Sequence, residues 1–169
     1  MKGNLLLIGA GQYGMLVKEV AESTGKFENI NFLDDNNPIS VGKFSDYQKF
    51  IQEYPYAFVA IGNGDLRLNM MDKLSAAGFE LATLISPQAY VAPSVQIGAG
   101  TIVEPMAVVQ AGATISKGCL VCSGAVVKHN AVIGDGCYLD CNSVVLAGVS
   151  VPIKTKVEAN SIYACKNLV

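Results

Sequence analysis

The chain holds one histidine, His129, in the polar run Lys128-His129-Asn130. An imidazole titrates near neutrality, so it can take a proton from an attacking amine or hydroxyl and give it up again. His129 stands two residues after the apolar Val127, which predicts an outward or corner position with no packing role. A lone surface histidine is usually inert, so chemistry there needs other groups nearby. A second constellation is Gly9-Ala10-Gly11-Gln12-Tyr13-Gly14, which follows the apolar run Leu5 to Ile8 and precedes a helical pattern. Gly9, Gly11 and Gly14 permit a tight turn and close approach of a phosphate to a helix N-terminus. Asp34 and Asp35 follow at about the distance where a carboxylate takes ribose hydroxyls. Asn63, in Ile61-Gly62-Asn63-Gly64-Asp65, is expected at the same edge of a sheet and completes a candidate pocket for phosphate and ribose. The competing reading is a glycine turn that only packs helix on strand.

Five cysteines raise the question of metal, because Cys119-x2-Cys122 and Cys137-x3-Cys141 loosely imitate a zinc site. Cys119 and Cys137 are eighteen residues apart and share one position in the repeat described next. They are therefore expected to stack in a core as small apolar residues, while Cys122 and Cys141 face elsewhere. No metal is expected.

The element that must position His129 is legible from one regularity. Val91, Ile97, Val103, Val109, Ile115, Val121, Val127, Ile133, Leu139, Val145, Val151, Val157 and Tyr163 recur at every sixth residue. Two places before most of them stands a small residue, among them Ala89, Ala107, Ala113, Cys119, Ala125, Ala131 and Cys137. Neither a helix nor a simple strand alternation gives a strict six; a solenoid with three flat faces per coil does. The large residue fills the interior, the small one turns the corner, and about four coils of parallel β-helix result. Eighteen residues on from His129 is Ala147, so Ala147 and Gly148 lie one coil along on the same side. Their backbone N–H groups are candidates for holding a carbonyl oxygen that gains charge during attack. Just before the interior residues stand Ile102, Val108, Leu120, Val126, Val132, Tyr138 and Val144, an outward apolar stripe. A soluble monomer does not leave such a stripe bare. Self-association about a threefold axis is predicted, with Val126, Val132 and Val144 at or near the contacts.

The first 86 residues lack that period and read as alternating strands and helices. Strands are expected at Asn4 to Ile8, Asn31 to Leu33, Tyr56 to Ile61 and Leu81 to Ile85, with helices at Gln12 to Thr24, Phe44 to Glu53 and Asp65 to Ala77. Such an order builds a small parallel sheet, half of a Rossmann unit. The predicted fold is thus an α/β unit over 1–86 followed by an all-β parallel β-helix over 87–169. A formal net charge of −2 gives no electrostatic case for nucleic acid or an anionic membrane. The N-terminal apolar run is too short to span a bilayer and has no cleavage site, so a cytoplasmic protein is expected.

Gly9 to Gly14, Phe32-Leu33-Asp34-Asp35, Val59 to Asn63, Leu84-Ile85-Ser86-Pro87 and the hexads with His129 to Asp135 together resemble one family. It is the hexapeptide-repeat sugar acetyltransferases, the group of sialic acid O-acetyltransferases and bacterial UDP-4-amino-sugar N-acetyltransferases. The resemblance spans nearly the whole chain. It implies a left-handed β-helix, a homotrimer, and acetyl-CoA as co-substrate in a cleft between adjacent helices. It implies a nucleotide-activated sugar on the N-terminal unit, with Asp34 and Asp35 in that pocket, and His129 as the base that deprotonates the acceptor. Three departures stand out. Asn130 replaces the acidic residue that often follows the histidine, Tyr138 replaces a second histidine near the thioester, and Lys154 to Val169 lacks the further coils that help hold CoA. Read this way, His129 and Asn130 are catalytic candidates, and Ala147, Gly148 and Tyr138 are acetyl-CoA candidates. Gly9, Gly11, Gly14, Asp34, Asp35 and Asn63 are candidates for the sugar nucleotide.

The function expected is transfer of an acetyl group from acetyl-CoA to an amine or hydroxyl of a nucleotide-linked sugar. Its rival is a non-catalytic trimeric sugar-nucleotide-binding or scaffold protein with a shortened CoA site. A nicotinamide-dependent oxidoreductase fails on size, since the α/β region supplies only half a dinucleotide fold. A zinc carbonic anhydrase on the same solenoid fails on histidine count.

Overall fold

The computed structural model describes residues 3–164. Cys165 and the end of the segment expected to shorten the solenoid lie outside the described residues. In the N-terminal unit β1 (Gly3–Ile8), α1 (Gln12–Ser23), β2 (Phe27–Leu33), a 3-10 turn (Phe44–Phe50), β3 (Tyr56–Val59), α2 (Gly64–Ala76) and β4 (Glu80–Leu81) follow in order. The sheet is parallel throughout, in the order β2-β1-β3-β4. Leu5, Leu6, Leu7 and Ile8 are all buried because helices cover both faces of the central strand. Several boundaries differ from the sequence reading: β3 ends at Val59 rather than Ile61, and the helix expected over Phe44 to Glu53 is the 3-10 turn ending at Phe50. β2 begins four residues early, since Phe27 already pairs with Gly3 and Ile30 with Leu5. The expected fourth strand splits, with Leu84–Ile85 leaving the sheet to pair with Ile102–Val103. Those two residues open the solenoid.

The solenoid has three flat faces, each built by residues eighteen apart. The docking face stacks Leu84–Ile85, Ile102–Val103, Leu120–Val121, Tyr138–Leu139 and Lys156–Val157. A second face stacks Tyr90–Val91, Val108–Val109, Val126–Val127, Val144–Val145 and Ile162–Tyr163. The third stacks Gln96–Ile97, Thr114–Ile115, Val132–Ile133 and Ser150–Val151. The second residue of each pair points inward, and those from Val103 to Val157 form one buried cluster with Ala107, Ala113, Cys119, Ala125, Ala131 and Cys137 at the corners. Every corner from Gly100 to Asn160 needs one residue in the left-handed region, with φ between 56° and 72°. Glycine fills six of the eleven and asparagine three, as the steric cost of positive φ dictates.

The outward stripe is not one surface. Leu84, Ile102 and Leu120 are completely buried beneath the N-terminal unit, packed with Leu5, Val17, Val20 and Phe58. Their transfer from water holds the two units together, at about 1.5–3 kcal/mol for each side chain. The expectation that Ile102, Leu120 and Tyr138 await another subunit is therefore corrected: this chain covers them itself. Tyr90, Val108, Val126, Val144 and Ile162 remain on the second face, with Tyr90 and Ile162 exposed. Val132 lies on the third face and is 43 % exposed.

Candidate functional site

The carboxyl ends of β1, β2 and β3 open on a cleft of about 150 Å³ lined by Gly9, Asp34, Asp35, Asn36, Phe44, Ile61 and Met70. The glycine loop is shaped by its own needs. A Cβ on Gly14 would lie 2.1 Å from the Gly9 carbonyl oxygen, so only glycine lets α1 start so close to β1. Gly9 has φ of 102°, a turn conformation that favours glycine. Gly11 faces open space, with nothing within 4 Å of where a Cβ would stand. No side chain caps α1 and its first turn carries no acid, so its leading N–H groups remain free to face a ligand.

The two aspartates divide their work. Asp34 Oδ2 accepts the Ala10 N–H at 2.8 Å, and Oδ1 accepts those of Asn36 at 2.9 Å and Asn37 at 3.0 Å. These bonds, the Ala10 one foremost, hold its carboxyl below the usual carboxylate range. Asn37 Nδ2 returns a bond to the Ala10 carbonyl at 2.6 Å. Asp34 thus braces the glycine loop. Asp35 accepts the Phe44 N–H on Oδ1 at 3.0 Å and is exposed, leaving its second oxygen without a partner among the described residues. Asn63 Oδ1 caps α2 by accepting the Leu66 N–H at 2.9 Å, so its local role is structural.

Arg67, which the sequence reading missed, fastens this cleft to the solenoid. It is fully buried, and among the described residues it has no carboxylate partner and its guanidinium donates to carbonyls alone. Nε reaches Gly118 at 2.7 Å, Nη1 reaches Ile61 at 2.6 Å and Gly62 at 2.9 Å, and Nη2 reaches Gly136 at 2.7 Å. Two of those carbonyls belong to the cleft edge and two to solenoid corners. On the other flank, Glu104 is buried and accepts the Ser123 N–H at 3.0 Å, the Ser123 hydroxyl at 3.1 Å and the Tyr13 hydroxyl at 3.3 Å. Burial first, and Glu104 second, push the Tyr13 phenol well up, so it stays protonated and donates. Nothing in the sequence marks Arg67 or Glu104, because the bonds that tie the two units together run to the Gly118 and Gly136 carbonyls from Arg67 and to the Tyr13 hydroxyl from Glu104, all more than fifty residues away.

His129 is exposed in the corner between the second and third faces, within Lys128 to Ala131. Gln110 Oε1 accepts its N–H at 3.1 Å, and its carbonyl accepts the Gly148 N–H at 3.0 Å. Gly148 therefore has no N–H left for a ligand, which removes half of the predicted oxyanion pair. Ala147 has no such partner among the described residues, and a side chain at Gly148 would meet open space. Asn130 takes the left-handed position at φ 57°, and its Oδ1 would lie 2.3 Å from a Cβ on Gly112. Its carboxamide thus packs over the turn below, and corner geometry accounts for asparagine there.

The corner that carries His129 is the edge of the prism opposite the docking face. Tyr138 lies on the docking face instead, 3.9 Å from the position of a Cβ on Gly62, with Lys156 Nζ 5.6 Å from its ring centre. Within one chain Tyr138 therefore lies against the loop before α2, on the face away from the His129, Ala147 and Gly148 corner. Cys119 and Cys137 are buried and stacked through the Leu120–Tyr138 pairing, and their thiols donate to the Gly134 carbonyl at 3.1 Å and the Pro152 carbonyl at 3.0 Å. Among the described residues no group of three or more histidine, cysteine or acidic side chains could hold a metal ion. No helix among them is long and apolar enough to cross a membrane.

Residues 4–74 match the family described as the PglD N-terminal domain. The acetyltransferase domain of PglB from Neisseria gonorrhoeae is 28% identical, with a TM-score of 0.84 over 96% of this chain and 91% of that one. The same domain solved in complex with acetyl coenzyme A gives a TM-score of 0.82 at 28% identity, over 98% of this chain and 92% of that one. A mutant perosamine N-acetyltransferase from Caulobacter crescentus, solved with CoA and GDP-perosamine, shares the fold at 23% identity and a TM-score of 0.81, over 96% of this chain and 89% of that one. The resemblance to the hexapeptide-repeat sugar acetyltransferases is borne out, and the solenoid is their left-handed parallel β-helix.

Proposed function

We propose that this protein transfers an acetyl group from acetyl-CoA to an amino or hydroxyl group of a nucleotide-linked sugar, as a cytoplasmic homotrimer. His129 takes the proton as the acceptor attacks the thioester carbonyl, and the Ala147 N–H faces the oxygen that becomes negative. Collapse of the tetrahedral species expels the CoA sulfur, which recovers the proton from the imidazolium, giving the acetylated sugar and CoA. The sugar nucleotide lies at the carboxyl edge of β1, β2 and β3, with Asp35 offering its free oxygen to the ribose or base. Asp34, Gly9 and Gly14 shape that edge, Gly11 leaves room for the ligand, and Asn63 anchors α2 beside it.

The observation that carries this reading is the exposed His129 on a β-helix whose 28% identical neighbour was solved with acetyl coenzyme A. The match covers 92% of that neighbour's length. Because His129 and the cleft occupy opposite sides of the prism, one active site takes its base from one subunit and its cleft from the next. Packing through the second face, with Val126 and Val144 at the contact and Val132 beside it, closes a threefold ring. CoA release from acetyl-CoA, measured by thiol trapping against a panel of UDP-, GDP- and CMP-linked amino and hydroxy sugars, tests the proposal. One nucleotide class should give turnover that His129→Ala lowers about a hundredfold or more. Absence of turnover with every acceptor, alongside tight sugar-nucleotide binding, would support the non-catalytic rival.

A further inference from the structure

We infer that Gln110 is a positioning residue for His129, its side-chain carbonyl fixing the turn from which the imidazole projects. The inference rests on the proposed role of His129 as the base.

Four turns stack along this edge of the prism: Ala92 to Val95, with Pro93 in second place, then Gln110 to Ala113, Lys128 to Ala131 and Leu146 to Val149. The later three place Ala111, His129 and Ala147 at the same spot, each with a backbone N–H that Pro93 lacks. Only the His129 N–H is held by a side chain among the described residues, because Gln110 Oε1 accepts it at 3.1 Å. Ala92, one coil below Gln110, has no acceptor to offer Ala111, and Lys128 carries only donors, so it has none for Ala147. The reach is a property of the corner geometry: Glu104 Oε2 takes the Ser123 N–H at 3.0 Å across the same nineteen-residue separation. A long acceptor directly after an inward residue thus pins the second turn residue one coil up.

The backbone around His129 is tied on both sides. The Ala111 carbonyl accepts the Asn130 N–H at 3.1 Å, and the Gly148 N–H donates to the His129 carbonyl at 3.0 Å. Those bonds belong to the solenoid ladder and no side-chain change removes them. The Gln110 bond is the one constraint on this peptide that sequence is free to add or drop. Its removal leaves a φ at His129 that is no longer held from below, on an exposed turn with no packed side chain to replace it. A base must meet the acceptor proton within hydrogen-bond reach, and small misplacements cost rate steeply. Gln110 is itself half-buried, which limits its own rotamers.

The test compares wild type with Gln110→Leu and Gln110→Glu. Leucine fills the space but cannot accept; glutamate keeps the acceptor and adds a charge. The four stacked turns hold one charged side chain, Lys128, so the new carboxylate would be alone among them near the imidazole. Gln110→Leu should lower kcat about tenfold with both KM values within about twofold, since positioning rather than binding is lost. Gln110→Glu should recover most of that kcat, and the acidic limb of its rate profile should move to higher pH because the carboxylate favours the imidazolium. Amide exchange gives a readout independent of turnover: the His129 N–H should exchange slowly in wild type and about tenfold faster in Gln110→Leu. Unchanged kcat and exchange in Gln110→Leu overturn the inference, as does an equal loss in leucine and glutamate variants. His129→Ala, assayed in parallel, separates the two levels. If that variant keeps full turnover the base assignment fails; if it is inactive while Gln110→Leu is unaffected, only the positioning role fails.

Discussion

Arg67→Met should loosen the N-terminal unit from the solenoid, and the size of the effect follows from the bonds it removes. The guanidinium supplies four bonds of 2.6 to 2.9 Å to the Ile61, Gly62, Gly118 and Gly136 carbonyls. Hydrogen bonds to a charged donor contribute about 1.5–3 kcal/mol each, and a carbonyl left buried and unpaired costs about 1–3 kcal/mol. Against this stands the desolvation of the guanidinium, which burial shows by pulling its pKa down and which methionine would relieve. Ile61 and Gly62 sit at the cleft edge where water can replace the lost donor, whereas Gly118 and Gly136 are buried between α2 and the solenoid corner. Counting the two buried carbonyls in full and the desolvation against them leaves a net loss of about 3 kcal/mol. For a chain of this size that lowers Tm by about 6–12 °C. Differential scanning calorimetry is the assay, and separation of one transition into two is the added sign that docking was lost. Arg67→Lys should recover only part of it, because one ammonium cannot span carbonyls on both sides. A Tm within about 2 °C of wild type would refute the reasoning.

Gly14→Ala should destabilise by about 2 kcal/mol or more, because its Cβ would lie 2.1 Å from the Gly9 carbonyl, while Gly11→Ala should leave Tm unchanged. Gly11→Val, by contrast, should weaken sugar-nucleotide binding in calorimetry without unfolding the chain. Asp34 has its carboxyl pulled down in the folded state, so its contribution is present above the ordinary carboxylate pKa and lost as pH falls below about 4. Chemical denaturation of Asp34→Asn should accordingly show a flatter stability profile on that acid side than wild type. Val126→Asp should dissociate the proposed trimer in sedimentation velocity, since a buried unpaired charge at the proposed subunit contact costs several kcal/mol, about 3–5. Leu120→Asp should instead prevent folding, since Leu120 is already covered within the chain.

The interior of the solenoid was legible because a strict period of six leaves no other packing: Val103 to Val157 carry the side chains that fill the prism. The sequence also held a signal that went unread, the left-handed corner position. Gly100, Gly112, Gly118, Gly124, Asn130 and Asn142 share it, and its register would have assigned Asn130 to the turn. The outward stripe misled because strand alternation tells inside from outside but not which outside face another part of the chain covers. Ile102 and Val108 look alike in sequence, yet one lies under α1 and β1 while the other faces out. Tyr138 is grouped with Ala147 by the resemblance alone, and the spacing does not place it there: nine residues is half a coil, and half a coil crosses the prism. The glycine loop and Asp34 were legible as neighbours, but their mutual bond through Ala10 was not, since the spacing that suits a ribose also suits a brace.

The proposed active site is shared between subunits, with His129 from one and the Asp35 cleft from another. Co-expression of His129→Ala with Asp35→Ala chains decides whether it is, after each variant has been assayed alone and found inactive. Random mixing creates intact sites wherever an Asp35→Ala chain lends its histidine to the cleft of a His129→Ala chain, so about a quarter of wild-type turnover per site should return. A mixed assembly that stays as inactive as its parents would contradict the shared site, because it would mean that base and cleft act within the same chain.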